Sequence, residues 1–278
     1  MMVKKTFTNA GTLLIYLLLT VWCIIILIPI YWMLVTAINP PSYIIHVPPI
    51  LYPRYPTLEN FITIFETAPI DRWALNSVVV SVSVTAGAVI FDSMAAYSYA
   101  VLKPKGHMIF FLIILACLMI PDQIRILPLF IFLTNLGWTD SYRALIIPFM
   151  GSAFGMFLLR QYMGGISKEY VDAAKIEGCG PFGVYVRIIL PLSKPVLAVA
   201  VIFFFVGNWN ALFWPLILTN SESMRTLPVG LATLRGLYHV NFGNVMAGAS
   251  VSALPLIILF IALQKHFTKG ITVGGLKG

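Results

Sequence analysis

Apolar residues in this chain come in long runs, without the alternation of a half-buried strand or the three-to-four-residue stripe of a soluble helix. The run at 13–37 holds twenty-five uncharged residues, and further runs lie at 76–102, 107–125, 142–162, 195–218 and 244–265. A hydrocarbon layer of roughly 30 Å needs about 20 residues of helix, fewer where the ends are polar or shielded by protein. The pattern therefore predicts an all-α membrane protein with six transmembrane helices. Its expected organisation is an amino-terminal segment 1–12, a membrane domain 13–267 that includes a polar loop 164–194, and a tail 268–278.

Between the third and fourth runs, "ILPLFIFLTNLGW" is apolar but interrupted by Pro128 and closed by Gly137. It is expected as an interfacial helix or a re-entrant piece. Lys4 and Lys5 precede the first run as in a signal peptide, but a secretory apolar core has roughly 7 to 15 residues. The first run is longer and is expected to remain as an anchor.

Composition agrees with burial in lipid. Of 278 residues, 59% are hydrophobic and 10% charged, against roughly 45 to 50% and about 25% in soluble domains. So little charge cannot coat a soluble globule. The net charge of +8 and pI of about 9.4 raise nucleic acid as a partner, yet the basic residues do not gather with aromatics on one face and no recognition motif is visible. Topology accounts for them instead. With the amino end inside, twelve of the eighteen Lys and Arg residues, including every lysine, fall in cytoplasmic connections, while the outer connections hold six arginines against six acids. Positive residues favour the cytoplasmic side, so both termini are expected there. The outer loop 38–75, dense in proline through "NPPSYIIHVPPILYPRYP", is expected to run extended, not helical. The outer loop 219–243 is polar and long enough to reach a partner.

Cys23, Cys117 and Cys179 have no metal or disulfide spacing, and His46, His107, His239 and His266 are scattered, so no metal site is expected. The informative stretch is "EYVDAAKIEGCGPFGVYVRIILPLSKP" at 169–195, which is polar where its surroundings are not. Residues 169–177 form one short helix in this reading, with Ser167 as N-cap, Glu169 in the first turn and Gly178 at the left-handed C′ position. Ala173 and Ala174 leave a bare strip on it. A second helix is expected at 182–190. From spacing alone the element is equally a docking helix for another protein or an amphipathic helix lying on the membrane.

"DAAKIEG" followed by "IILPLSKP" resembles the EAA loop of ABC importer permeases. The matching positions are Asp172, Ala173, Ala174, Gly178, Ile188, Leu190 and Pro191; the departures are Asp172 where Glu is usual, Glu177 where Asp is commoner and Cys179 in place of Ala. "MIPDQIRILPLF", "DSYRALIIPFMGSAFGMFLLRQYM", "NWNALFWPL" and "FTKGITVGGLKG" are similar to the shorter permease of maltose-type carbohydrate importers, in order along nearly the whole chain. The resemblance implies a type I ABC importer permease fold in a bacterial or archaeal cell membrane, and a second related permease or second copy as partner. It further implies two cytoplasmic ATPases, an extracytoplasmic sugar-binding protein, and an ATPase-coupling role for Glu169, Asp172, Ala173, Ala174, Glu177 and Gly178. ATP and Mg would belong to the ATPases, with no cofactor and no catalytic residue in this chain; no phosphate-cradling G-x-x-x-x-G-K-[ST] loop is present. ATP-driven closure of the ATPases would rotate the spans between inward-open and outward-open states. By the same resemblance the tail would reach the ATPase interface. A glycerol 3-phosphate or polyol importer shares the pattern and is the alternative substrate class. A secondary transporter would need an inverted repeat, and a membrane-embedded enzyme a clustered acid, base or nucleophile; neither is visible.

Two places could meet a substrate. Asp92, in "AVIFDSMAAYSYA", is the one formal charge deep within a predicted span, and an intramembrane carboxylate should face the bundle interior or water. It is equally a structural hydrogen-bonding partner or a cavity-lining group. "GNWNALFWPL" supplies Asn208, Trp209, Asn210 and Trp214 for sugar hydroxyls and rings, with a gate and helix packing as the favoured roles. Gly151 and Gly155 form a G-x-x-x-G that permits close helix approach.

Overall fold

Every regular element among the described residues is helical, as peptide groups deprived of water require. The computed structural model describes residues 9–40, 42, 51–237 and 241–274 and, at 9–10, 235–237 and 265–274, the backbone alone. Among them, four helices are long and apolar enough to cross a bilayer: Gly11–Ala37, Ile70–Leu102, Tyr142–Met163 and Phe242–Gln264. Two bent pairs, His107–Leu118 with Asp122–Asn135 at 96° and Pro181–Leu192 with Lys194–Trp209 at 80°, bring the number of spans to as many as six. The helices are α1 (Asn9–Ala37), α2 (Glu59–Thr67), α3 (Ile70–Tyr97), α4 (His107–Leu118), α5 (Ile126–Asn135), α6 (Tyr142–Ile146) and α7 (Ala153–Met163). They continue as α8 (Lys168–Ile176), α9 (Pro181–Val184), α10 (Leu190–Leu192), α11 (Lys194–Trp209), α12 (Phe213–Leu218), α13 (Leu227–Leu237) and α14 (Phe242–Gly274).

Several boundaries depart from the hydropathy pattern. The second span starts at Ile70, not 76, because Trp73, Asn76 and Ser77 are buried under a loop that pairs their polar groups. The third ends as a helix at Leu118, not 125, just before Pro121. Pro128 does not break the following apolar stretch: it stands in the first turn of α5, where its missing N–H would have no helical partner anyway. The runs at 142–162 and 195–218 are each interrupted, at 147–152 and 210–212. Loop 38–75 is not wholly extended, since it contains α2 and the start of α3; its residues 41 and 43–50 lie outside the described residues. Loop 219–243 contains α13. The tail is also shorter than expected: α14 continues to Gly274 despite two glycines, since lengthening a formed helix costs far less than starting one. Residues 275–278, like 1–8, lie outside the described residues.

The chain divides into two compact units, Met1–Ile70 with Leu231–Ala253, and Asp71–Gly230 with Leu254–Gly278. In the first, α1 exposes apolar side chains along most of its length, as a lipid-facing helix does, and is buried only at its last turn, Val35 to Ala37. The Asn-Pro-Pro sequence stops it. Its end is satisfied by the buried Asn60, whose Nδ2 donates to the carbonyls of Ala37 at 2.9 Å and Asn39 at 2.7 Å. The N–H of Thr57 donates to the Ile38 carbonyl at 2.8 Å, and the Tyr31 hydroxyl to the Leu51 carbonyl at 2.6 Å.

In the second unit α3 is the central element. Its inward positions, Asn76, Ser77, Val80, Ser81, Val84, Thr85, Ala88, Asp92 and Ser93, recur at helical spacing and are mostly small or polar, while Leu75, Val78, Val82, Ile90, Phe91 and Met94 point outward. Lipid gives apolar faces no reason to associate, so close packing of small residues and hydrogen bonds takes that role. The head of α3 fastens the loop ahead of α13. Trp73 Nε1 donates to the Glu222 carbonyl at 2.9 Å, and Asn76 Nδ2 to the carbonyls of Ser223 and Arg225, both at 2.8 Å. Ser77 Oγ accepts the Leu227 N–H at 2.8 Å, and the Tyr142 hydroxyl donates to Asn76 Oδ1 at 2.6 Å. Gly230 lies so close to the Trp73 ring that a Cβ there would come within 2.0 Å of it.

Asp140 closes the other side of this loop. It takes a left-handed conformation with φ of 58°, its N–H donates to the Leu218 carbonyl at 2.8 Å, and Oδ1 accepts the N–H groups of Asn220 at 2.9 Å and Ser221 at 3.0 Å. Burial would raise its carboxyl pKa, but the hydrogen bonds from Ser221 and Asn220 outweigh it, and the net pKa is below the ordinary 3.8. The charged form is thus favoured by folding. Its stabilising contribution is present above pH 3.8 and is lost as pH falls through the lower folded value. Asp140→Asn, which tolerates the same backbone, should lower stability at neutral pH and flatten the acid-side decline; thermal unfolding of the detergent-solubilised protein across that pH range measures both.

Candidate functional site

Two places in the second unit gather the residues singled out by sequence. The first is the polar loop around α8. Ser167 Oγ accepts the Glu169 N–H at 3.3 Å and caps the helix start. At the other end the N–H groups of Glu177, Gly178 and Cys179 return to the carbonyls of Ala173, Lys175 and Ala174 at 3.1, 3.0 and 2.9 Å. Gly178 has φ of +82° and would have nothing within 4 Å of an added Cβ, so backbone conformation and not space selects glycine here. Lys175 and Asp172 approach to 3.7 Å but are well exposed, where such a pair contributes little.

α8 has two unlike faces. Val171 and Ala174 are buried in a cluster with Ala96, Tyr97, Leu159, Met163, Val184, Tyr185 and Ile189. Ala174 is therefore not part of a bare outward strip: its small side chain lets α8 lie against its own protein. Glu169, Asp172, Ala173, Glu177 and Gly178 are exposed. Large apolar side chains are exposed beside them, Ile176 at 88%, Tyr170 at 56% and, on α9, Phe182 at 70%. After Gly180, Pro181 opens α9, and the π-helical turn Tyr185–Ile189 and α10 carry the chain into the 80° bend before α11.

The second place is a cavity of about 670 Å³ at the two helix interruptions, walled by residues of 117–129, 148–154, 203–208 and by Trp214. The aromatic wall is Phe149, Phe154, Phe203, Phe204 and Trp214; the polar groups are Ser152, Asn208 and the ion-paired Asp122 and Arg125. Of the sequence candidates, Asn208 and Trp214 share this wall. Asn208 Nδ2 donates to the Phe204 carbonyl at 2.7 Å, a bond within its own helix, and Trp214 packs on Phe149 with ring centroids 5.4 Å apart. Trp209 is 1% exposed and stacks on Phe205 at 5.8 Å, away from the wall, and Asn210, though exposed, is not part of it either.

Asp92 is buried at 4% exposure and is not among the wall residues. Its Oδ1 accepts the Ser152 N–H at 2.9 Å, and Ser152 Oγ accepts the Gly155 N–H at 3.2 Å. The two side chains together pair N–H groups that α7 leaves open where the fourth span is interrupted. Gly155 permits this approach: a Cβ there would come within 2.3 Å of Asp92 Oδ2 and 2.2 Å of the Phe204 ring. Gly151, the other half of the G-x-x-x-G, meets only ordinary contact. Hydropathy alone missed the wall residues Phe149, Ser152 and Phe154. The signal that marks them is the Pro148 and Gly151 interruption inside an otherwise apolar run.

Interrupted apolar helices around a cavity, followed by a short polar helix, suit a membrane transport protein. The chain belongs to the family of binding-protein-dependent transport system inner membrane components, whose family model matches residues 88–273. It is 42% identical over 80% of its length, and 80% of the relative's, to the arabinooligosaccharides transport system permease protein AraQ of Halalkalibacterium halodurans. To the sn-glycerol-3-phosphate transport system permease protein UgpE of Brucella abortus it is 32% identical, over 92% of this chain and 94% of that one. Its fold is similar, with a TM-score of 0.85 at 21% identity, to a crystal structure of a bacterial ABC transporter involved in the import of the acidic polysaccharide alginate, over 95% of this chain and 100% of that one. The chain is thus the multi-pass inner-membrane permease of a binding-protein-dependent ABC importer and not its ATP-hydrolysing part, and no cofactor belongs to it.

Cys117 stands in the cavity wall, whereas Cys23 lies on α1. With Cys23→Ser and Cys179→Ser in place, the assembled importer should label at Cys117 with a charged, water-soluble thiol reagent, because thiolate forms in water and not in hydrocarbon. Mass spectrometry of the labelled subunit measures it, and protection by an imported solute would map the path.

Proposed function

We propose that this chain forms half of the translocation path of an ATP-driven sugar importer. A second related permease, or a second copy, supplies the other half, and each permease seats its α8 helix in one of two cytoplasmic ATPases. An extracytoplasmic binding protein delivers the sugar. The lysine distribution supports a cytoplasmic position for both termini and for the loop 164–194.

The observation that carries this reading is the two-faced character of α8. Val171 and Ala174 bind it to the transmembrane core, so a push on the helix reaches the spans. Its other face offers Glu169, Asp172, Ala173, Glu177 and Gly178 around the protruding Ile176, a knob suited to a complementary groove. ATP then shifts the populations of inward-open and outward-open states only as far as its binding energy differs between them, and a firm seat for α8 is what makes that difference felt. A neutral sugar suits the cavity better than glycerol 3-phosphate. Arg125, the basic side chain among the wall residues, stands beside Asp122, whose negative charge offsets it, and the rings of Phe149 and Trp214 offer faces for sugar C–H groups.

Gly178→Val forces a β-branched residue into a left-handed backbone, a strain of about 1–3 kcal/mol, and should misdirect the knob. Uptake by the reconstituted importer should fall roughly tenfold while ATPase activity persists; uptake at the wild-type rate would remove Gly178 from the coupling element. Disulfide cross-linking from Ile176→Cys to cysteines in the ATPase groove tests the docking directly. For the substrate, uptake of a labelled arabino-oligosaccharide should survive an excess of unlabelled glycerol 3-phosphate, and effective competition would favour the phosphorylated polyol.

A further inference from the structure

Two neighbouring residues on the inward face of α3 each reach one of the two places, the α8 loop and the cavity wall. Ser93 Oγ lies 2.7 Å from the Tyr185 hydroxyl, in the π-helical turn that carries the α8–α9 loop into the membrane. One turn further along, the Tyr97 hydroxyl donates to the Pro181 carbonyl at 2.9 Å, and its ring sits 5.3 Å from that of Tyr185. The loop is thus tied to α3 by two hydrogen bonds and a ring contact. Asp92, the residue before Ser93, holds the Ser152 N–H at 2.9 Å. Ser152, with its neighbours Gly151 and Ala153, is cavity wall. Asp92 Oδ2 is buried with no hydrogen-bond partner of its own, so the carboxylate is held by Ser152 on one oxygen and by the close fit against Gly155 on the other.

We propose that Asp92 and Ser93 are positioning residues that join the loop to the cavity wall, so that a displacement of the docked loop reaches the interruption at Ser152 through one turn of α3. The physical reason is stiffness. α3 is an unbroken helix of 28 residues, adjacent residues are separated by about 1.5 Å along its axis, and neither attachment can move without carrying the other. The wall end is the pliable one: the fourth span is interrupted there, and the Asp92 bond fixes where its second half begins. This inference rests on the reading of α8 as the ATPase-docking element. It adds the route by which that docking would open or close the path.

The test is a double-mutant cycle in the complete reconstituted importer, read as solute moved per ATP hydrolysed, a ratio that a mere loss of assembled protein leaves unchanged. Tyr185→Phe removes the hydroxyl and keeps the ring; Asp92→Ala removes the carboxylate. Each should lower the ratio by about fivefold or more, and the double variant should fall no further than the worse single one, because both cut the same connection. Asp92→Asn, whose amide oxygen still accepts the Ser152 N–H, should restore the ratio. Losses that multiply, a wild-type ratio in Tyr185→Phe, or failure of Asp92→Asn to restore it would each overturn the proposal. If Asp92→Ala does not assemble, Tyr185→Phe and Asp92→Asn decide alone. Cross-linking through Ile176→Cys on the same preparations separates the two ideas. Uptake without any cross-link overturns the docking reading, whereas an intact cross-link with an unaltered ratio in Tyr185→Phe overturns only the connection through α3.

Discussion

Inside a bilayer each peptide N–H and C=O must find a partner within the protein, since each group left unpaired costs several kcal/mol. This chain is built around the places where that requirement is hardest to meet. Its fourth and fifth membrane runs are interrupted, and each interruption frees backbone groups that an unbroken helix would have paired. At the first, the Asp92 carboxylate and the Ser152 hydroxyl receive N–H groups from the head of α7. At the end of α1 the amide of Asn60 reaches the freed carbonyls. Asp92, Ser152 and Asn60 thus stand where helices break or end. The Ser152 N–H gives the buried Asp92 carboxyl a partner at that depth.

The same requirement shapes the helix faces. α3 turns serines, Thr85 and Asp92 inward and leucine, valine and phenylalanine outward, the reverse of a soluble amphipathic helix. Association in lipid then depends on closeness, and Gly155 and Gly230 supply it where they meet Phe204 and Trp73. Interruptions of the helices, in turn, leave room for the cavity. The broken ends of α4, α6, α11 and α12 do not fill the space between them, and aromatic rings with a few polar groups line what remains.

The loop of α8 is polar where the spans are apolar, and local effects hold it. It is short, and a nine-residue helix is marginal by itself in water. Ser167, Gly178 and the burial of Val171 and Ala174 stabilise it in one orientation. In the coupling role proposed for it, that orientation matters. A helix held by flexible connections would absorb a push from the proposed ATPase partner, whereas one packed through Val171 and Ala174 would pass it on.

Much of this was legible in the chain itself. The long uncharged runs determine that the protein is helical and membrane-embedded, because burial in lipid depends on local composition and helix length. The Ser167 to Gly178 segment announces its own cap and its own termination, because both are local backbone effects. What the tertiary structure decided is which way each side chain faces and where each run breaks. Ala174 looked like part of an exposed strip and is packed inward; Trp209, a candidate for the path or for helix packing, is buried; Pro128 looked like a breaker and stands in the first turn of a helix. Side-chain facing depends on neighbours far away in sequence, such as Tyr97 beside the α8 loop, Ser152 beside Asp92, or the Glu222 and Ser223 carbonyls at Trp73 and Asn76. Hydropathy carries no information about which distant segment supplies such a partner, so only the folded chain could assign them.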